Sequence, residues 1–469
     1  MESERLLSEE GDETGSELDT DSGHQSAQCP SNASGTSDDG YRLEGEQHAT
    51  QKSGMTSVQK KLLASLAVVR MLNGSLIAVM IPFFPVEAAS RGVSQTVISG
   101  LFSCFSVARM ATNPFIGRLV LLVGLSRLYN LGLATAGLTT IIFGTLNYIA
   151  DTSTFVTACY LVRLVEAIGS EAITICGYTI VGNQFPSRVN RVVALLNSAL
   201  TIGLALTPAI WGGLFALGGF GTPFFTLGVI MLLMAALNLR LMPTIQGTTN
   251  RSSMKFSKTL WLFAKSTGNW VCMVTVFTYA SYVSTVASAF APYANDALGV
   301  PPSQVGFYYL VNTSGYAIMN LFWGWLADRQ QNRYKIMSPC LIVSSFGIFL
   351  LSPSPLLGLK PVWWLTGLGM AIAQAFSGGA LTPCFKTMLE SSIEGGLEDD
   401  LSTQSLVSSA YQMAFSIGVA VGPLLGGILV DIYGFPWMTT MLAFLMASVG
   451  LLVGVKAISA SQAQCRDKK

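Results

Sequence analysis

The sequence predicts an all-α membrane protein with twelve transmembrane helices in two pseudo-symmetric six-helix bundles. Three observations carry this. The 469-residue chain is 51% hydrophobic and only 11% charged, a balance that makes lipid the solvent for most of it. From Lys60 onward, twelve apolar runs of about twenty residues follow one another, each long enough to cross a bilayer. In lipid such a run satisfies its backbone only as a helix. The chain also repeats itself. GRLVLLVGLSR (Gly117–Arg127) is echoed by GWLADRQQNR (Gly324–Arg333), and IGLALTPAIWGG (Ile202–Gly213) by IGVAVGPLLGG (Ile417–Gly427). Gly117 and Gly324 lie 207 residues apart, and Pro208 and Pro423 lie 215 apart. Two copies of an apolar unit of this size place a solute path between two halves.

Taken in order, residues 1–59 hold 13 Asp and Glu against Arg5, Arg42 and Lys52, among many Ser, Gly and Thr. Such a segment cannot bury enough apolar surface to offset its ordering entropy, so it is predicted as a disordered acidic cytosolic tail. Within it Glu2, Leu6 and Leu7 of ESERLL fit the acidic dileucine form that sorting adaptor proteins read in cytosolic tails. The first bundle is expected over 60–243, with spans at 62–82, 96–120, 128–149, 155–181, 192–217 and 223–243. A cytosolic linker follows at 244–266. The second bundle occupies 267–457, with spans at 267–291, 304–326, 334–353, 362–385, 403–430 and 435–457, and 458–469 form a cytosolic tail.

Basic residues orient the helices. Arg118, Arg127, Arg188, Arg191, Arg240, Arg329, Arg333 and Lys335 fall in one set of loops, whereas the opposite set has only Arg91 and Lys360. By the positive-inside rule both termini are cytosolic.

A formal net charge of +1 without a basic patch argues against nucleic acid as a partner. None of the eight cysteines stands in a CxxC or zinc-like spacing, and the only histidines, His24 and His48, lie in the tail. Neither a metal nor another cofactor is expected. No span or loop assembles a nucleophile, base and acid, so an enzyme is not expected either. The expected partners are a small organic substrate, protons and the bilayer.

Five ionisable residues fall inside the spans: Arg70, Arg109, Arg163, Glu166 and Glu171. Each costs roughly 2.5–3.5 kcal/mol in hydrocarbon, so each is expected to face the protein interior or a wet cavity. Arg163 and Glu166 are three residues apart and share a helix face. The guanidinium favours the charged carboxylate and desolvation the neutral acid, a balance that lets Glu166 load and release a proton. A static bridge is the competing reading. Glu171 points about 140° away from Glu166 round the helix, with Arg109 or Arg70 as candidate partners. Tyr279 and Tyr282, with Asn312, are polar or aromatic candidates for a cavity, and tyrosine faces hold organic cations.

These features resemble the major facilitator superfamily, and within it the vesicular amine transporter branch, closest to its polyamine-transporting member. The stretches that carry the resemblance are IPFFPVEAASRGVSQTVISGLF (81–102), YLVRLVEAIGSEA (160–172), ALTPAIWGGLFALGGFGTPF (205–224) and GPLLGGILVDIYGF (422–435). The resemblance implies a cytosolic gating motif at Gly324, Asp328 and Arg329. Its first copy keeps Gly117 and Gly124 but has Leu121 in place of the acid. It also implies an antiporter motif at Gly203 with Pro208 and at Gly422 with Pro423. Arg163 matches the branch's span-4 Arg. Gln374, 208 residues after Glu166, is the pseudo-symmetric counterpart and does not titrate. Asn73 stands where the monoamine carriers have Asp, which argues against a monoamine.

The expected function is proton antiport of a small organic amine or polyamine by alternating access, in an intracellular vesicle or endosome/lysosome membrane. The alternatives are a proton-linked carrier of organic anions or drugs and a non-transporting receptor or scaffold.

Overall fold

The structure, a computed structural model, describes residues 55–242, 256–300 and 302–467. The acidic tail and its Glu2, Leu6 and Leu7 motif lie outside the described residues. Among the described residues there are twelve long helices. The first six are α1 (Ser57–Ser90), α2 (Gln95–Val123), α3 (Leu125–Thr145), α4 (Thr152–Gln184), α5 (Val189–Gly218) and α6 (Gly221–Leu241). A short helix, α7 (Phe256–Lys265), lies inside the segment expected to be a plain linker. Then come α8 (Thr267–Leu298), α9 (Pro302–Arg329), α10 (Tyr334–Leu351), α11 (Trp363–Glu394), α12 (Leu401–Tyr433) and α13 (Phe435–Asp467).

The helices overrun the apolar runs. At 34 residues, α1 is about 51 Å long against a hydrocarbon core of ~30 Å, so its ends project into the interfaces. Helix α13 runs on to Asp467, past the expected end of the span, because its Ala, Ser and Gln residues permit a helix. Asn332 ties it down by donating to Ala457 O at 2.9 Å and Ser461 Oγ at 3.0 Å.

Nine of the long helices are apolar enough to cross a membrane unaided. The three that fall short among the described residues are α2, α9 and α11, which hold Arg109 and Asn113, Asn312 and Asn320, and Gln374 respectively. Polarity thus falls at equivalent positions of the two halves (α2 and α9), where helices face protein rather than lipid.

The internal repeat is visible in the packing. In the first half α1 packs on α5, α2 on α4, and α3 on both α4 and α6; each contact recurs seven labels later, as α8 on α12, α9 on α11, and α10 on α11 and α13. The two halves meet through another matched pair, α2 on α12 and α5 on α9. Glycine permits the tightest crossings. A Cβ on Gly203 would run into the backbone at Met71 on α1, and one on Gly422 would stand 2.7 Å from Ser281 O on α8. Gly212, Gly213 and Gly427 have open space instead, so only part of the antiporter motif serves close approach. Trp211, further along α5, is buried to 5% exposure.

Candidate functional site

The charged site grows from one helix. Glu166, Ser170, Thr174 and Tyr178 recur every four residues along α4 and line one face of it. Arg163 sits a turn before Glu166, and its Nη1 donates to Glu166 Oε2. Both side chains are buried, at 1% and 2% exposure. Thr140 of α3 donates to Glu166 Oε1 at 2.9 Å, so both carboxylate oxygens are bonded. Phe105 of α2 roofs the pair, its ring 4.0 Å from the Arg163 guanidinium carbon.

Glu171 turns to α2, as its angular offset requires. Arg109 Nε donates to Glu171 Oε2 at 2.5 Å. The carboxylate is wholly buried, and Oε1 has no hydrogen-bond partner. Arg70, on α1, takes neither acid: its Nη1 donates to Thr174 Oγ1 at 2.7 Å, and its guanidinium lies 5.7 Å from the Tyr178 ring centroid. Asn73 is an inter-helix strut, accepting from Ser170 Oγ at 2.8 Å and donating to Thr174 Oγ1 at 3.3 Å. Arg70, Asn73, Arg109, Arg163, Glu166 and Glu171 therefore converge within the first half.

The second half contributes aromatics. Tyr279 of α8 stacks on Tyr316 of α9 with ring centroids 6.1 Å apart. Tyr178 reaches across the halves to Phe385 of α11 at 5.3 Å and Tyr411 of α12 at 5.2 Å, and its hydroxyl donates to Asn197 Oδ1 at 2.7 Å. Tyr282 is buried close by on α8. Gln374 does not join the charges; its Oε1 accepts from Ser377 Oγ of its own helix at 3.0 Å. Asn312 has a buried Oδ1 without a hydrogen-bond partner. Ser170, Thr174 and Tyr178 are sites the sequence signals only through the four-residue stripe on α4, and Tyr316 of α9 has no such signal.

One end of the molecule is closed between the halves. Asp328 of α9 accepts from the backbone N–H of Asn190 and of Arg191, both at 3.1 Å, at the start of α5. Arg191 Nε stands 3.5 Å from the same carboxylate. Arg329 takes no part in that contact and lies over the Trp325 ring at 3.8 Å. Gly324 lets α9 cross α5: a Cβ there would stand 2.5 Å from Ala194 Cβ and 2.8 Å from Asn190 O. Gly117 plays the equivalent part against Ser409 of α12. Gly124 has φ +94° and makes the turn from α2 into α3. Toward mid-membrane, Asn320 donates to Ala194 O at 3.0 Å, Ser198 to Ala317 O at 2.8 Å and Thr179 to Ser408 Oγ at 3.0 Å. Pro208 and Pro423 both lie within helices, α5 and α12.

The chain matches the Major Facilitator Superfamily over residues 63–286 and 271–461. It belongs to that superfamily. The human MFS-type transporter SLC18B1 is 28% identical over 402 residues, covering 84% of this chain and 85% of that protein. Multidrug resistance protein 2 of Bacillus subtilis is 21% identical over 282 residues, 58% of this chain and 68% of that one. Among solved structures, the superfamily transporter FucP in the outward conformation superposes with a TM-score of 0.68 at 15% identity, covering 84% of this chain and 98% of FucP. The human organic anion transporter MFSD10 does so with 0.64 at 15%, covering 85% and 100%. These likenesses establish a multi-pass membrane transporter of the major facilitator fold.

Proposed function

We propose that this superfamily member is a proton-coupled antiporter, carrying a small organic amine or polyamine across an intracellular vesicle membrane by alternating access. The observation that carries the reading is the pair of buried acids on α4, each set against its own arginine. Glu171 is the better placed to exchange a proton, because Oε1 is free and a proton loads there without displacing a donor. Glu166, the acid favoured by its spacing to Arg163, has both oxygens engaged, one by Arg163 and one by the Thr140 hydroxyl of α3. Tyr178, Tyr279, Tyr316 and Tyr411 supply faces on which an organic cation rests. With the basic loops in the cytosol, the closed end is the cytosolic one.

The test is uptake of labelled spermidine, serotonin and an organic anion into proteoliposomes with an imposed inside-acid gradient. Amine uptake that stops when the gradient is collapsed, and that is lost in Glu171→Gln, is expected. Uptake indifferent to the gradient, or driven by it only for the anion, sinks the reading.

A further inference from the structure

The buried charges do not balance. Arg163 and Arg109 each hold an acid, and Arg70 holds none: among the described residues no carboxylate lies within ion-pair distance of its guanidinium. Yet Arg70 is 92% buried, since only 8% of its surface is exposed. A cation at such a depth with no carboxylate closer than the longer-range field of Glu171 is expensive and is normally kept for a purpose. The bond to Thr174 uses one of the five N–H groups of the guanidinium. Arg70 also lines a pocket with Leu66, Tyr129, Thr174, Tyr178 and Leu196. Its planar fork matches a carboxylate in two-point geometry.

We infer that Arg70 is an anion subsite of the cavity, and that among the organic amines the protein takes, those that also bear a carboxylate are preferred. The carboxylate engages the free edge of Arg70. The ammonium group lies on the aromatic surface that begins at Tyr178, 5.7 Å from Arg70, and continues to Tyr411, 5.2 Å further on. A bare cation in the same place meets the charge of Arg70, which Glu171 offsets only from beyond ion-pair distance, whereas the carboxylate of a zwitterion pairs with it directly. The ammonium half of this inference rests on the amine reading above; the carboxylate half rests on Arg70 alone.

The test uses matched pairs that differ by one carboxylate, lysine with cadaverine and ornithine with putrescine, binding to the purified full-length chain in lipid nanodiscs. In the wild type the carboxylated member of each pair is expected to bind at least about tenfold more tightly, the order of a buried charge-assisted contact. In Arg70→Gln the preference falls to within about twofold, with a normal thermal transition showing that the variant folds. Arg70→Lys keeps part of the preference, because the charge remains and the fork does not. Carboxylated ligands that bind no better than their amines overturn the inference, and so does a folded protein that binds neither. Gradient-driven spermidine uptake in either case leaves the antiporter reading standing. A lysine preference abolished by Arg70→Gln, with no response to the pH gradient, upholds the subsite and removes the antiporter.

Discussion

The two halves share a scaffold and divide the chemistry. Helices α4 and α11 occupy equivalent places, each packed on its half's second and third helices. Yet α4 carries Arg163, Glu166 and Glu171, while α11 has Gln374 where Glu166 stands, hydrogen-bonded to Ser377 of its own helix. The closed end is equally lopsided. The first turn of a helix presents N–H groups that need acceptors. At α12, Asp400 does this within its own segment, accepting from Thr403 N at 2.8 Å. At α5, Arg188 offers no cap, and Asp328 reaches over from the other half to accept from Asn190 and Arg191. Symmetric packing therefore makes the shared frame, and broken symmetry decides which half holds the buried charges and which supplies the carboxylate across the closed end.

The largest expected effects break the charged half. Arg163→Met leaves Glu166 buried without its partner and is expected to cost about 3–5 kcal/mol. Arg163→Met with Glu166→Met restores much of that loss while abolishing gradient-driven uptake. Gln374→Leu, the matching change in the other half, costs about 1 kcal/mol or less because one local hydrogen bond is lost. Thermal unfolding in detergent compares the three, and equal losses for Arg163→Met and Gln374→Leu would dissolve the contrast between halves. Next come the crossing glycines. Gly324→Val pushes on Ala194 and on the backbone at Asn190, which cannot rotate away, whereas Gly117→Val meets first the hydroxyl of Ser409, which can. Uptake is expected to drop by at least about tenfold for Gly324→Val, roughly 1.4 kcal/mol against the closed state, and by less for Gly117→Val.

Much of this frame was legible in the chain. Apolar runs locate the twelve long helices, and the repeated glycines mark the helices that cross, because only a missing Cβ allows α9 to lie on α5 at Gly324. The Arg163–Glu166 contact follows from a three-residue spacing. The partner of Glu171 did not follow, because a 140° turn names a direction and not the helix found there. Arg109 and Arg70 were equal candidates until α2 was placed beside α4. Tyr178 and Tyr316 are not legible for a related reason: an aromatic in an apolar run looks the same whether it faces lipid or the opposite half. The latch was only half legible. Asp328 was conspicuous in its motif, but its acceptor role toward α5 depends on Arg188 failing to cap that helix.

The smallest expected effect sharpens the latch comparison. Asp328→Ala removes the acceptor for two N–H groups of α5 and should weaken closure by about 0.5–2 kcal/mol, the range of a lost helix cap. A cysteine introduced on α5 near Ser198 should then react faster with a thiol reagent applied from the closed end. Leu121→Asp supplies the acid that the first copy lacks, yet Asp400 already serves α12, so this change alone should leave the labelling rate almost unaltered. Combined with Asp400→Ala, it should slow labelling relative to Asp400→Ala alone, because the new carboxylate then finds free N–H groups at the start of α12. If Leu121→Asp tightened closure while Asp400 was intact, helix capping would not be what separates the two copies, and the charge of the motif would have to act on α12 by another route.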